Sequence, residues 1–300
     1  MREATTLTAR PGPPSPTLRG RRLGAELRRL REQAGRTIQE VAQALECSES
    51  KISRIETGQV SASPRDVRDM LTLYQVHHEG RDALIQVARE VRQRGWWSNY
   101  ADVSDGMPAY ASLEVAAGSI LTYMALVLPA LFQTEAYARA VLRAILPDLL
   151  PEEIERRVQL RMDRQSILQQ DDPPRVSVVL DEALLRRPVG SCEIMRGQLD
   201  RLVAAASSPT VTLQVLPTEV GAHAGLDGPF TIVRYSKPAE ADFVVLDSVM
   251  RELYLEDPDE LDRYMRVFDR LRAAALGSDD SVRFICELMV KLYPKPTVGT

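Results

Sequence analysis

The sequence predicts an α+β fold that is mostly α: an N-terminal five-helix domain, then a helical segment that leads into a small β-sheet packed with helices. Up to about residue 93, apolar residues recur at helical spacing between Ser, Thr, Gly and Pro residues that mark helix ends. Segments with the alternating apolar pattern of β-strands begin only after residue 174. The 300 residues also exceed what one hydrophobic core usually organises, so two domains are expected.

Five short helices are expected in the N-terminal domain. They are predicted at about 20–34, from Thr37, from Ser48 to about Thr57, from Ser63 and at about 79–93. Thr37 has Glu40 three residues after it, which is the pattern of a capping box, and Ser63 precedes Pro64 at a first helical position. Gly58 follows the third helix as its stop. These ends predict a compact all-α domain.

The rest of the chain is predicted to be helical first and to contain strands later. A helical stretch is expected at 109–125, and another helix is expected after Pro151. Five strands are predicted, at 175–180, 211–216, 230–235, 243–247 and 252–255. Further helices are predicted at about 191–206, from Asp257 and at about 279–292.

Composition sets the expected domain organisation and compartment. Residues 1–58 hold 11 Lys/Arg and 7 Asp/Glu, a balance of +4, so the remainder must carry −8 to reach the net charge of −4. A basic end on an acidic body favours one phosphate-facing end. The divisions expected are an arm (1–17), a first domain (18–77), a connecting helix with a Trp-Trp hinge (78–98), a regulatory or partner-binding domain (99–293) and a tail (294–300).

The cysteines and the apolar runs favour a cytoplasmic protein. Cys47, Cys192 and Cys286 lie far apart and form no CxxC spacing, so we expect a reducing compartment and no structural metal site or cofactor. The start of the chain lacks the apolar region of a signal peptide. The longest apolar run, 120–132, is too short for a bilayer, which needs ~20 residues, so no membrane partner is expected.

The segment from Thr37 to Gly58, T-I-Q-E-V-A-Q-A-L-E-C-S-E-S-K-I-S-R-I-E-T-G, predicts a function. It indicates two short helices around a three-residue turn, with apolar residues at the positions where such a pair packs: Val41, Ala42, Leu45, Ile52 and Ile55. This is the pattern of a helix-turn-helix, whose second helix is shaped to enter a DNA major groove.

Eight polar residues are predicted to contact DNA: Thr37, Gln39, Ser48, Glu49, Ser50, Lys51, Ser53 and Arg54. Arg54 is suited to a bidentate contact with guanine O6 and N7, Lys51 to guanine or a phosphate, and Glu49 to the N4 donor of cytosine. The helix N-termini at Thr37 and Ser48 offer N–H groups to phosphates. The alternative is an ordinary helical hairpin whose Arg54 and Lys51 are merely solvated.

Residues 20–76 resemble the lambda-repressor-like, xenobiotic-response-element type of DNA-binding domain, and the run S-K-I-S-R-I-E-T-G is typical of it. The resemblance implies that Ser48, Glu49, Ser50 and Arg54 face a double-stranded DNA operator, and that a homodimer binds near-palindromic half-sites. This sequence has Ile38 where the family often has Gln, and Glu46 where it usually has Gly with a left-handed backbone.

Nearly all of residues 20–290 are similar to actinobacterial regulators with a C-terminal domain of unassigned function, WhiJ-like and antitoxin-like proteins among them. The motifs that carry the similarity are R-Q-R-G-W-W, L-P-A-L-F-Q-T-E-A-Y-A-R-A-V-L, V-V-L-D-E-A-L-L-R-R-P-V-G, V-T-L-Q-V-L-P and G-A-H-A-G-L-D-G-P-F. The similarity implies a transcriptional regulator of development or antibiotic production, whose C-terminal body senses a ligand or a small protein encoded nearby. The alternative is an antitoxin-like protein that sequesters such a partner and binds DNA for autoregulation.

Three residues outside the helix-turn-helix are candidates for a ligand or partner site. His223, between glycines, either contacts a ligand or satisfies its own loop backbone. Trp96 and Trp97 either line a binding site or pack the first domain onto the second. The adjacent Asp181 and Glu182 are expected to serve in helix capping and surface salt bridges rather than as an acid and a base. No nucleophile set is evident, so no enzyme is expected.

Overall fold

The computed structural model describes residues 18–76, 80–92, 96–100, 103, 107–236, 241–247 and 252–294. The chain divides into two compact units, residues 1–113 and 114–300. The expected arm at 1–17 and residues 295–300 of the expected tail lie outside the described residues. None of the described helices is long and apolar enough to cross a membrane.

The first unit contains the five predicted helices. They are α1 (Leu18–Gln33), α2 (Ile38–Ala44), α3 (Glu49–Glu56), α4 (Pro64–Leu73) and α5 (Gly80–Arg92). A short 3-10 helix, Trp96–Tyr100, and α6 (Met107–Glu114) follow. The core comes from the apolar stripes that the sequence predicted, with Leu27, Val41, Ile52, Ile55, Val67, Met70 and Leu71 at 0–1% exposure. Fully burying such a side chain contributes about 1.5–3 kcal/mol, so packing of these stripes holds the short helices together.

The second unit is a mixed sheet with helices. Its strands are β1 (Ser119–Met124), β2 (Arg175–Asp181), β3 (Val211–Leu216), β4 (Phe230–Arg234), β5 (Phe243–Asp247) and β6 (Glu252–Leu255). Their order is β3-β2-β1-β4-β5-β6; β1, β2 and β3 are parallel, and β4, β5 and β6 pair antiparallel. The helices are α7 (Glu135–Ile145), α8 (Pro151–Arg164), α9 (Glu182–Arg186), α10 (Cys192–Ala206), α11 (Pro258–Ala274) and α12 (Ser278–Leu292). The expected α+β class is confirmed.

The predicted helical stretch at 109–125 is wrong for its second half, where residues 119–124 form β1. This strand is central, with β2 on one side and β4 on the other. Ile120, Thr122 and Tyr123 are all buried, so β1 lacks the clean alternation of a half-solvated strand. Hydrogen bonds to both neighbouring strands decide its conformation, and those neighbours lie 50 or more residues away in sequence.

One face and one edge of the sheet are covered by later parts of the chain. On one face, Phe268 and Leu271 of α11 pack with Ile232 and Val244. At the β3 edge, the Val215 carbonyl accepts from the N–H of Leu276 at 2.8 Å, and the Val215 N–H donates to the Ser281 hydroxyl at 2.9 Å. These bonds cap backbone groups that an open edge would expose.

Candidate DNA-binding surface

The ends of α2 and α3 are capped as the sequence predicted. The Thr37 hydroxyl accepts from the N–H of Glu40 at 3.1 Å, and the Thr37 N–H donates to the Glu40 carboxylate at 2.8 Å. The Ser48 hydroxyl accepts from the N–H of Lys51 at 3.2 Å. Each cap satisfies a donor that the first helical turn leaves unpaired, and such caps are worth about 1 kcal/mol.

The turn between the two helices has a left-handed residue at Glu46, with φ of 50°. The Glu46 N–H donates to the Gln43 carbonyl at 3.3 Å, and the Cys47 N–H donates to the Ala42 carbonyl at 2.9 Å. This is the Schellman pattern, in which glycine is the usual residue at the left-handed position. The turn geometry expected from the resemblance is therefore present, with a glutamate that carries a steric cost of about 1–2 kcal/mol.

The back of α3 is held against the rest of the first unit. Ile52 and Ile55 are each 1% exposed and pack in the core. At Gly24 the backbone of α1 approaches α3 so closely that a Cβ atom would lie 2.3 Å from the Ile55 carbonyl oxygen and 2.7 Å from that of Glu56. Only glycine fits this crossing, because both neighbours are backbone atoms. Local sequence patterns do not reveal this contact, since it joins two helices.

A buried ion pair makes the second connection between α1 and α3. The Arg31 guanidinium donates to both Glu56 oxygens, at 2.7 and 3.0 Å, and to the Arg36 carbonyl at 2.8 Å. Arg31 is 7% exposed and Glu56 5% exposed. The bond to Glu56 is the main reason that the pKa of Arg31 is raised above its ordinary value. Two-point geometry of this kind fixes the rotation of α3 as well as its position.

The opposite side of α3 is open to solvent. Glu49, Ser50, Ser53 and Arg54 are exposed, as are Ser48 at its cap and Thr37 and Gln39 at the start of α2. The Arg54 side chain makes one long contact, from Nε to the Ser50 carbonyl at 3.4 Å. The structure thus brings seven of the eight predicted contact residues to the surface of the helix-turn-helix.

Lys51 differs from the other predicted contact residues. Its ammonium lies 2.7 Å from the Asp66 carboxylate on α4, and its side chain is 40% exposed. The hydrogen bond with Asp66 is the main reason that the pKa of Lys51 is raised. The sequence predicts that Lys51 contacts guanine or a phosphate, and local spacing does not reveal this internal partner.

His223, a candidate for a ligand contact, is engaged within the second unit. Its Nδ1 accepts from the N–H of Gly225 at 3.2 Å, and its Nε2 lies 3.6 Å from the Asp181 carboxylate. Tyr123 donates to the same Asp181 oxygen at 3.2 Å. These contacts favour the alternative in which the ring satisfies its own loop. They also fasten that loop across the C-terminal ends of β1 and β2.

Asp181 and Glu182 have the capping and salt-bridge roles expected for them. Asp181 caps α9 by accepting from the Ala183 N–H at 2.8 Å. Glu182 pairs with Arg186 and accepts from the N–H of Thr218 at 2.9 Å. Glu182 is only 2% exposed, so its pair is buried at one end rather than fully on the surface.

The two tryptophans lie in the 3-10 helix Trp96–Tyr100 of the first unit. The Trp97 side chain is partly buried, and the Trp96 side chain is outside the described part of the structure. His78, the residue at which the expected connecting segment begins, is also outside it. The proposed roles of both tryptophans stay predictions.

The second unit has an open groove with a volume of about 440 Å³ between α11, the loop before β4 and the strands β5 and β6. Apolar side chains form most of its lining, among them Phe230, Leu253 and Leu255. Its polar lining residues are Asp227, Glu260, Arg263 and Tyr264. Ligand pockets commonly have volumes of roughly 300–1,000 Å³ and this mixture of lining residues.

Comparison with known protein families gives two matches. Residues 22–84 match a helix-turn-helix domain, which supports a DNA-binding regulator. Residues 107–287 match a domain of unknown function, DUF5753. No curated protein and no solved structure matches the chain significantly. Because the second match covers more than half of the chain, the protein belongs to the DUF5753 family and carries a helix-turn-helix domain ahead of the family domain.

Proposed function

We propose that the protein is a sequence-specific transcriptional regulator of the lambda-repressor-like type, which binds a double-stranded operator through α3. The observation that carries this proposal is the two-sidedness of α3. Its back is fixed by Ile52, Ile55 and Glu56, whereas its front presents short polar side chains and Arg54 to solvent. Base-edge recognition needs both properties, because the helix must hold its angle while donors and acceptors reach the groove.

Each exposed residue of α3 has a proposed role. Arg54 makes the bidentate contact to guanine O6 and N7, and Glu49 accepts from cytosine N4. Ser50 and Ser53 bond a phosphate or a base edge. The first turns of α2 and α3, with Thr37 and Gln39 beside them, face phosphates. The protein acts as a homodimer on half-sites about one helical turn apart.

The second unit, in this proposal, senses a small protein or a ligand and thereby changes DNA affinity. The groove bounded by α11 supports this role. The resemblance of the sequence motifs to actinobacterial regulators of development and antibiotic production also implies it. An effector changes DNA binding only if it binds two states of the protein with different affinity. No catalytic residue, metal or cofactor is assigned, and the helix-turn-helix match favours a role as a non-enzymatic regulator.

The second candidate function is an antitoxin-like interaction protein that sequesters a small partner and binds DNA only for autoregulation. Exposed apolar residues near the groove favour it. Leu253 in the lining is 55% exposed, and Leu226 in the adjoining loop is 69% exposed. Contiguous exposed apolar surface is a feature of protein interaction sites, and in this proposal the two leucines contribute to such a surface.

Genome-wide mapping of bound sites tests the proposal, with wild type, Arg54→Ala and Arg283→Ala. Arg283 is a matched control, because it is an exposed arginine of α12 in the second unit. We expect wild type and Arg283→Ala to occupy the same discrete sites with a shared motif, and Arg54→Ala to lose them. Unchanged sites in Arg54→Ala would refute the assigned recognition. Loss of the sites with an intact cellular phenotype would favour the interaction protein.

A further inference from the structure

Lys51 and Asp66 form a surface ion pair that joins α3 to α4 beside the proposed DNA-contact face. The Lys51 ammonium lies 2.7 Å from Oδ1 of Asp66. The other Asp66 oxygen, Oδ2, accepts from the Ser63 hydroxyl at 2.7 Å and from the Ser63 N–H at 3.1 Å. The carboxylate is therefore held by the cap of α4 as well as by Lys51, and it cannot swing away without opening that cap.

Both partners are accessible to a bound nucleic acid. The side chain of Lys51 is 40% exposed and that of Asp66 is 27% exposed. Burial opposes ionisation of Asp66, but the hydrogen bonds from Lys51 and Ser63 outweigh it and lower its pKa. Asp66 therefore stays charged at neutral pH. A phosphate that approaches Lys51 meets a pair with no net charge, rather than a free cation.

We propose that Asp66 is an affinity-determining residue of the DNA-binding surface, because it withholds Lys51 from the DNA phosphates. This inference rests on the proposed function. Asp66 is held in place by the capping box of α4, whereas its exposed ion pair with Lys51 contributes little to stability. The ion pair has a larger effect on the charge that Lys51 presents to solvent. That charge matters for DNA binding, where each lysine that neutralises a phosphate releases condensed counterions.

Asp66→Asn should release Lys51 while keeping an oxygen that can accept from Ser63. With one more phosphate neutralised, the plot of log Kobs against log salt becomes steeper by about 0.9. The affinity gain over wild type then grows about 3.5-fold for each fourfold reduction in salt. Reductive methylation of the free protein should label Lys51 faster in Asp66→Asn than in wild type, with no DNA present.

The experiment uses the full chain and a duplex that the wild type selects from a random pool. Binding is measured across salt for wild type, Asp66→Asn, Lys51→Met and the Lys51→Met/Asp66→Asn double variant. Asp69→Asn is the matched control, since Asp69 is an acid of α4 that pairs with Arg65, at 3.8 Å, and not with α3. Thermal unfolding of each variant confirms that it folds. We expect the steeper salt dependence in Asp66→Asn and not in Asp69→Asn. It should disappear in the Lys51→Met/Asp66→Asn double variant, which lacks the lysine.

Two results would overturn the inference, and they differ in what else they reject. Equal affinity gains from Asp66→Asn with and without Lys51 would show that Asp66 merely repels DNA; the proposed function would stand. A wild type that selects no duplex would reject the proposed function and this inference together.

Discussion

Arg31 and Glu56, 25 residues apart in sequence, are joined in the core of the first unit by two hydrogen bonds of 2.7 and 3.0 Å. Arg31 lies near the end of α1, and Glu56 is the last residue of α3. The pair therefore ties the helix proposed to read DNA to a helix that does not belong to the helix-turn-helix. Together with the close approach at Gly24, it sets how α3 is presented.

Removal of Arg31 alone should be costly. Arg31→Met leaves the Glu56 carboxylate buried without its partner, which costs about 3–5 kcal/mol. The Arg31→Met/Glu56→Met double variant should recover most of this stability, because no buried charge is left. Hydrogen exchange of α1 and α3 in the intact chain measures the stability of the single and the double variant. A single variant as stable as wild type would contradict the assigned burial.

Replacement of Gly24 by alanine should separate α1 from α3. The added Cβ meets backbone oxygens at 2.3 and 2.7 Å, so the helices must shift, at a cost of about 1–3 kcal/mol. Gly197 on α10 is the matched control, since a Cβ there meets nothing within 4 Å. Gly197→Ala should stabilise by about 0.5–1 kcal/mol. Thermal unfolding of each variant checks the opposite signs, and equal effects would refute the close crossing.

Relief of the left-handed turn should stabilise the first unit. Glu46→Gly removes about 1–2 kcal/mol of steric cost, while glycine's freedom in the unfolded chain takes back about 0.5–1 kcal/mol. The melting temperature should rise without loss of DNA binding. Gln43→Gly, at an exposed helical position of α2, is the control and should destabilise by about 1 kcal/mol. A lower melting temperature for Glu46→Gly would contradict the turn geometry.

The buried hydroxyl groups of Tyr74 and Tyr293 differ in their hydrogen bonding. The Tyr74 hydroxyl has no hydrogen-bond partner among the described residues, and burial raises its pKa. Tyr74→Phe should be neutral or stabilise by up to about 1 kcal/mol, because an unsatisfied polar group is removed. Tyr293 is also buried, but its hydroxyl donates to the carbonyls of Leu185 and Arg186 at 3.2 and 3.1 Å. Tyr293→Phe should lose about 1 kcal/mol in urea unfolding. Equal losses at both positions would show that Tyr74 has a partner after all.

The second unit should lose stability in acid partly through Glu182. Burial raises the pKa of this carboxyl, but the bonds from the Thr218 N–H and Arg186 outweigh it, so the pKa is lowered. A lowered folded-state pKa stabilises above the unfolded value of about 4.3, and this contribution is lost as pH falls through the folded-state pKa.

Glu182→Gln should therefore be less stable than wild type at pH 7, by about 1.5–3 kcal/mol for bonds to a charged group. The difference should shrink as the pH falls below about 4. Urea unfolding at a series of pH values, followed by hydrogen exchange in β2 and α9, checks this. A difference that stays constant down to pH 3 would refute it.

The sequence predicted most elements where their signals are local. In the first unit, α2, α3 and α4 begin at Thr or Ser caps, and α1 and α3 are followed by glycines, Gly35 and Gly58. These signals and the apolar stripes lie within one or two turns of each helix. The strands β2 to β6 were found because apolar alternation and turn residues mark them. The strand β1 was missed because it is central and buried. The preceding Gly118 and the later Pro129 were the available signals of a short element.

By itself, the sequence determined the helix-turn-helix, because its caps, its turn and its apolar positions all lie between Thr37 and Gly58 and act over a few residues. The tertiary structure alone decided how α3 is held and which of its cations is free. Arg31 with Glu56, and Lys51 with Asp66, come together only when α1, α3 and α4 pack. The tertiary structure also brings His223 close to Asp181, and this contact fastens the loop that contains His223. Such contacts join distant residues, and their formation depends on packing that local spacing does not encode.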